Sequence, residues 1–333
     1  MSAVSASWLP LPWQSAQWQR LQQQRQQEQL PHALLLAGAP GIGKRRLAQA
    51  FGAGLLCQQP VEGAACGDCK ACHLLAAGTH PDWQWLAPEE AGKAIKIDQV
   101  RAVVDFVTQT SQLGGWRVMV VEPAEAMNRN SANALLKTLE EPPAGAIILL
   151  VSDAPGRLLP TIRSRCQQLL LPLPAEADSR AWLAPLAADP QQVEQALRET
   201  SGRPLAARAL LDGEGLAERR RLAEELSAVL EGRQSVPVLA ERWQQPKQQP
   251  AWEELLSWLQ GQIWSALKER ALGAASGPLA ALPAERLYAL LDRVNGVIQQ
   301  SRAGTNPNKQ LALETLLFAM QSALRRPARP GVG

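Results

Sequence analysis

The apolar run Ala33–Ala37 leads directly into Gly38-Ala39-Pro40-Gly41-Ile42-Gly43-Lys44, and residues 46–56 behind it show helical periodicity. The pattern G-x-x-x-x-G-K between a strand and a helix is that of a phosphate-binding loop. Its glycines let backbone N–H groups close on phosphates, and its lysine reaches the terminal ones. Few folds present such a loop, because it must sit at the carboxyl end of a buried strand. The residue after the lysine is Arg45, where Mg²⁺ binding requires the hydroxyl of Ser or Thr. A guanidinium offers donors only and a permanent positive charge, so it cannot replace that ligand.

Further short apolar runs at Trp83–Leu86, Arg117–Val121, 147–151 and 168–171 read as strands, with helices expected at 97–110 and 131–139. That alternation predicts an α/β domain with a doubly wound parallel sheet covered on both faces. After Pro172 and Pro174 the strand signal stops. Short helices are expected at 177–186, Pro190–Glu199 and Pro204–Leu211, and Asp212-Gly213-Glu214-Gly215 marks a second boundary. The remainder reads as all-α, so the fold class is α/β plus all-α. Domains are expected over 1–172, 173–212 and 213–333. A loop is expected at 244–250, a break at Asn306-Pro307 and a Pro/Gly/Arg-rich tail over 325–333. At the N-terminus, Trp18 and Leu21 would share one face of a short helix, with the glutamines of 22–29 on its solvated side and in the loop that follows.

A net charge of +3 does not point to nucleic acid through bulk electrostatics. No apolar run approaches membrane-spanning length and no signal-peptide h-region is present, so a cytoplasmic location without membrane contact is expected. In that compartment five cysteines do not suggest a disulfide framework. Four of them, Cys57, Cys66, Cys69 and Cys72, are spaced as ligands of a tetrahedral structural Zn²⁺. An iron–sulfur cluster or unligated thiols are the alternatives, although Cys72 is followed by His73 rather than by the downstream Cys-Pro of a ferredoxin run. Cys166 stands apart and reads as buried packing.

A working ATP site would also need an acidic pair after a hydrophobic strand. Here residues 118–121 end in Glu122-Pro123, with Glu125 out of register. Two catalytic positions are therefore lost together. Gly38, Gly41, Gly43 and Lys44 are read as a degenerate nucleotide site with a mainly structural role; ATP binding is not expected, while weak phosphate binding at Lys44 stays open.

The loop, the four-cysteine insert, Asn133-Ala134-Leu135-Leu136-Lys137-Thr138-Leu139-Glu140-Glu141-Pro142-Pro143 and Ser164-Arg165-Cys166 together resemble the AAA+ clamp-loader family of bacterial replication. The resemblance spans nearly the whole chain and is strongest over 33–171; Thr79-His80-Pro81-Asp82 and Asn306-Pro307 add weaker support. It implies an AAA+ domain with a zinc insert, a small helical lid and a C-terminal helical collar in a five-subunit ring. It also implies that ATP sits between neighbours and that Arg165 acts catalytically in trans, as an arginine finger on an adjacent motor subunit. The implied partners are the ATPase motor subunits and the clamp-opening subunit, with the sliding clamp and primed DNA reached through the complex. Ser152-Asp153 corresponds to the first phosphate-sensing region, and Leu205 to the position where motors keep a sensing arginine, with Arg203 and Arg208 close by.

The leading reading is a non-hydrolysing clamp-loader subunit. An active motor ATPase is the alternative, and Arg45 and Pro123 count against it. A zinc-dependent nucleic-acid module is a third reading, disfavoured by the modest charge. Lys137, Glu140 and Glu141 are read as a helix end, residues 252–267 as a core stripe, and Arg219-Arg220-Arg221 as a solvated face with ion pairs along its own helix.

Overall fold

The computed structural model describes residues 8–90, 92–187, 189–244, 252–273, 277–302 and 308–325. Nearly all of the loop expected at 244–250, the break at Asn306-Pro307 and nearly all of the tail lie outside the described residues. The chain divides into two compact units: one runs through Trp182 and takes in Arg203–Ala206, the other comprises Leu183–Gly202 and the chain from Ala207.

The first unit is built on five parallel strands, β1 (Ala33–Ala37), β2 (Trp83–Leu86), β3 (Arg117–Val121), β4 (Ala146–Ser152) and β5 (Gln167–Leu170). Their order is β2-β3-β4-β1-β5. This is the parallel sheet expected. Every residue of β1, β3 and β4 is buried, as near-continuous apolar runs require when both faces are covered. Side chains alternate between two cores. Leu34, Leu36, Val118, Val120, Ile147 and Leu149 face Leu47 and Phe51 of the helix Lys44–Leu56. Leu35, Met119, Val121, Ile148 and Leu150 face Val100 and Val103 of the helix Ile97–Thr108, and Leu135 and Leu139 of the helix Arg129–Glu140. These helices are named α2, α4 and α5. An N-terminal helix, α1 (Ser15–Gln26), and a short helix, α3 (Lys70–Ala76), lie between or before them in sequence. In α1, Leu21 is buried and Trp18 packs against the same core, edge-on to Phe51, as expected.

Two expected boundaries moved for identifiable reasons. The helix α4 stops at Thr108 rather than 110, because the Thr110 carbonyl accepts from Nε and Nη2 of Arg117 at 3.0 and 2.7 Å. The helix α5 starts at Arg129 rather than 131, because Asn128 caps it by accepting from the Ser131 N–H at 2.9 Å. Behind Arg117 lies Asp82, fully buried 3.5 Å from its Nε. Burial pushes the Asp82 carboxyl up, but N–H groups of Gln112 and Leu113, the Ser111 hydroxyl and Arg117 outweigh it and hold the group below its ordinary value. The Thr79–Asp82 motif is thus a structural clasp at the entry to β2: the Asp82 N–H donates to His80 Nδ1 and its carboxylate receives a loop.

Among the described residues the second unit is all-helical. Its largest helices, Gly215–Leu230, Trp252–Ala271, Ala284–Arg302 and Lys309–Arg325, share one apolar core. The stripe expected over 252–267 is core at Leu255, Leu256, Leu259, Ile263 and Leu267, while Trp252 is only partly buried. In the helix Gly215–Leu230, Glu225, four residues beyond Arg221, accepts from Arg242 at 3.1 Å and from Trp243 Nε1 at 2.7 Å.

Candidate functional site

The loop leaves the carboxyl end of β1 and ends in Gly43, which precedes α2 with φ 92. Only glycine takes that conformation without strain. At Gly38 a Cβ would collide with the Leu171 carbonyl oxygen, so that glycine is required by close approach. Lys44, the first residue of α2, has a side chain only 3% exposed. Its Nζ donates to the Gly38 carbonyl at 2.9 Å and the Ala39 carbonyl at 2.5 Å, and forms an ion pair with Asp153. An ammonium has three donors, so all three are engaged by the chain itself. A phosphate would have to displace a carboxylate and two carbonyls.

The loop is also capped from the N-terminal side. Trp13 Nε1 donates to the Ile42 carbonyl at 2.9 Å, and Gln14 Nε2 to the Gly43 carbonyl at 2.8 Å. Leu11 lies over Gly43, where a Cβ would strike its side chain. From the far side of the unit the Leu205 N–H donates to the Gly41 carbonyl at 3.0 Å. Leu205, expected at the second sensor position, thus meets the loop through its backbone.

The residue after the loop lysine meets the carboxylate at the end of β3. Arg45 Nη1 lies 3.4 Å from Glu122 Oε2, and its guanidinium stacks 4.7 Å from the centre of the Trp85 ring. Burial pushes the Glu122 carboxyl above its ordinary value, and the nearby Arg45 and Lys44 charges pull it partly back. Glu125 turns away from any metal role: its Oε1 accepts from the backbone N–H groups of Asp153 and Ala154 at 2.9 and 3.1 Å. It thereby fixes the segment that carries the partner of Lys44.

Arg165 occupies a different setting. The helix α6 (Pro160–Arg163) is anchored by the fully buried Ile162 and followed by a turn in which the Arg165 N–H donates to the Ile162 carbonyl at 3.1 Å. Next comes Cys166, buried in the core, with its thiol pushed up to about 12 by desolvation. It is packing, as expected, and no nucleophile at neutral pH. The Arg165 side chain is 35% exposed, with Nη2 2.6 Å from Glu140 Oε1. Its Nη1 donates to the Thr161 carbonyl at 3.0 Å and reaches the Ser164 hydroxyl at 3.5 Å. Glu140 was expected mainly to end a helix; as the partner of Arg165 it was missed.

The four cysteines converge. Their sulfurs all lie within 4.8 Å of one another, with Cys57–Cys69 at 3.8, Cys66–Cys72 at 3.9, Cys69–Cys72 at 3.5 and Cys57–Cys72 at 3.7 Å. A tetrahedron with metal–sulfur bonds of about 2.3 Å has edges of about 3.8 Å. Backbone N–H groups of Gln59 and Cys66 point at the Cys57 sulfur, and that of Gly67 at Cys72. Donors aimed at sulfur suit thiolates, so these residues fit a metal ion. The insert rides on α2: a Cβ on Gly54 would strike the Gly63 carbonyl.

Comparison with known proteins bears on what this arrangement serves. A family model described as "DNA polymerase III, delta subunit" matches residues 13–174. DNA polymerase III subunit delta′ of Pseudomonas aeruginosa is 52% identical over 218 residues, covering 65% of this chain and 66% of that protein. The subunit delta′ of Escherichia coli is 36% identical over 313 residues, covering 90% of this chain and 91% of that protein. Among solved structures, a DNA polymerase III gamma subunit-related protein from Thermotoga maritima is 20% identical with a TM-score of 0.46, over 89% of this chain and 95% of that one.

Proposed function

The chain belongs to the DNA polymerase III delta-prime family, and from that premise we propose that it is the non-hydrolysing subunit of the replicative clamp loader. In this role it helps place the sliding clamp on primed DNA as a component of the polymerase holoenzyme in the cytoplasm. It contacts the ATPase motor subunits and the clamp-opening subunit, and has no catalysis of its own. The observation that carries the reading is Lys44: its three donors are held by Gly38, Ala39 and Asp153, while Arg45 faces Glu122 where a metal would be needed.

Arg165 supplies the complementary half. A guanidinium stabilises charge spreading over a transferred phosphoryl group, and its partial exposure leaves it reachable by a neighbour's nucleotide. The 173–212 segment serves as a lid and 213–333 as the collar. Zn²⁺ held by Cys57, Cys66, Cys69 and Cys72 stabilises the insert; with four thiolates it keeps no open coordination position, so it supplies structure and no chemistry.

The test is ATP turnover by the isolated chain and by the complex reconstituted with wild type or Arg165→Ala. The reading expects no Mg²⁺-dependent hydrolysis from the chain alone and a loss in the variant complex; robust hydrolysis by the isolated chain would reject it in favour of a motor ATPase. For the metal, elemental analysis should find one zinc per chain. Cys69→Ser should lose it and open the 57–72 insert to protease, with a stability loss of several kcal/mol. Metal-free wild type that is as stable as the loaded protein would retire the zinc.

A further inference from the structure

We propose that Glu140 is the positioning residue of Arg165, holding its guanidinium in the orientation that meets a neighbouring subunit's nucleotide phosphate. The inference rests on the trans role of Arg165 and adds a residue to it. Three observations carry it. First, Glu140 is the last residue of α5, and its carboxylate is 2.6 Å from Arg165 Nη2. Second, the other terminal nitrogen is held by the Thr161 carbonyl and lies against the Ser164 hydroxyl, so the planar group is gripped at both ends by its own chain. Third, the placement of Glu140 is electrostatically wrong for a helix. A carboxylate at a helix C-terminus opposes the macrodipole and is unfavourable there. Lys137 in the same turn shows what the helix would prefer.

An acidic residue kept where the helix disfavours it needs a compensating partner, and Arg165 is that partner. The pair is half exposed, so its contribution to folding is small. Its contribution to geometry is larger. An arginine side chain has large rotamer entropy, and a free one would have to lose it at the moment of reaction. With both terminal nitrogens already held, that ordering is complete before the phosphoryl group arrives, which is how a preorganised donor lowers a barrier. The flanking structure has the stiffness the task needs. The Ser131 hydroxyl ties the start of α5 to the Ile95 carbonyl at 2.7 Å, and buried Leu135 and Leu139 seat the helix on the sheet.

The experiment compares wild type, Glu140→Gln, Glu140→Asp, Arg165→Ala and the Glu140→Gln/Arg165→Ala double variant in the reconstituted complex with clamp and primed DNA, reading kcat and KM for ATP. Thermal midpoints of the isolated chains are recorded in parallel. Glu140→Gln should lower kcat at the served site about tenfold with KM and midpoint unchanged. Glu140→Asp should recover part of the loss, and the double variant should be no worse than Arg165→Ala. Wild-type kcat in Glu140→Gln beside a depressed Arg165→Ala overturns the positioning role alone. An unaffected Arg165→Ala removes the trans reading and this inference with it. A kcat loss that tracks a fall in midpoint, or one that adds to that of Arg165→Ala, also overturns it.

Discussion

Lys44 and Arg165 are both cations at positions where nucleotide chemistry would use them, and the fold treats them in opposite ways. Lys44 is 3% exposed, its donors closed by two carbonyls and a carboxylate; Arg165 is 35% exposed on a turn and gripped at its terminal nitrogens. The difference shows that the presence of a motif lysine says little about ligand binding unless its donors are accounted for. A buried cation with every donor engaged is part of the scaffold, whereas a half-exposed one held in a chosen direction is available to something outside.

That contrast can be broken or sharpened by experiment. The largest expected effect is Arg165→Ala, which should slow single-turnover ATP hydrolysis at the one served site by about 10³-fold or more. Steady-state turnover of the whole complex should fall by less, because other sites keep their own residues. Next, Lys44→Met should destabilise the chain by about 1.5–3 kcal/mol in chemical denaturation, since hydrogen bonds to a charged group are lost inside. It should leave the ATPase of the complex unchanged; a fall there would collapse the distinction between the two cations. The smallest effects belong to the Arg45–Glu122 pair. Glu122 has its folded value raised by burial. Its contribution to stability is therefore fully present below the ordinary value of 4.5 and is lost as pH rises through the folded value. Glu122→Gln should remove that part of the pH dependence above pH 4.5 without loss of stability at pH 7. Arg45→Ala should cost under about 1 kcal/mol, because the Arg45 side of the pair is open to solvent. A larger cost would mean that the guanidinium holds the site shut.

The sheet was legible because its signal is local. β1, β2 and β3 occupy the expected residues; β1 and β3 are the short apolar runs that buried parallel strands must be, while β2 is a half-buried edge strand that its tryptophans and Leu86 still marked. β5 begins one residue early and ends at Leu170, although the Leu171 N–H still donates to the Ala37 carbonyl. As an edge strand with alternating burial it carries a weaker pattern. What stayed hidden depends on pairing across the sequence. Nothing around Asp153 announces that it will take Lys44, and nothing near Thr110 announces Arg117. The cap on α5 was readable, because Asn128 precedes Ser131 by three positions. Glu140 carried a signal as well: a carboxylate in the final turn of a helix is an anomaly that asks for a distant cation.

The Arg45–Glu122 contact has a consequence for any cycle in which this chain takes part. A hydrated magnesium ion arrives with nucleotide and departs with product, so a pocket that depends on one alternates between two electrostatic states. A countercharge fastened to the backbone cannot be diluted, chelated or exchanged. In the proposed role, neighbours that do cycle nucleotide would meet here a charge arrangement that stays constant.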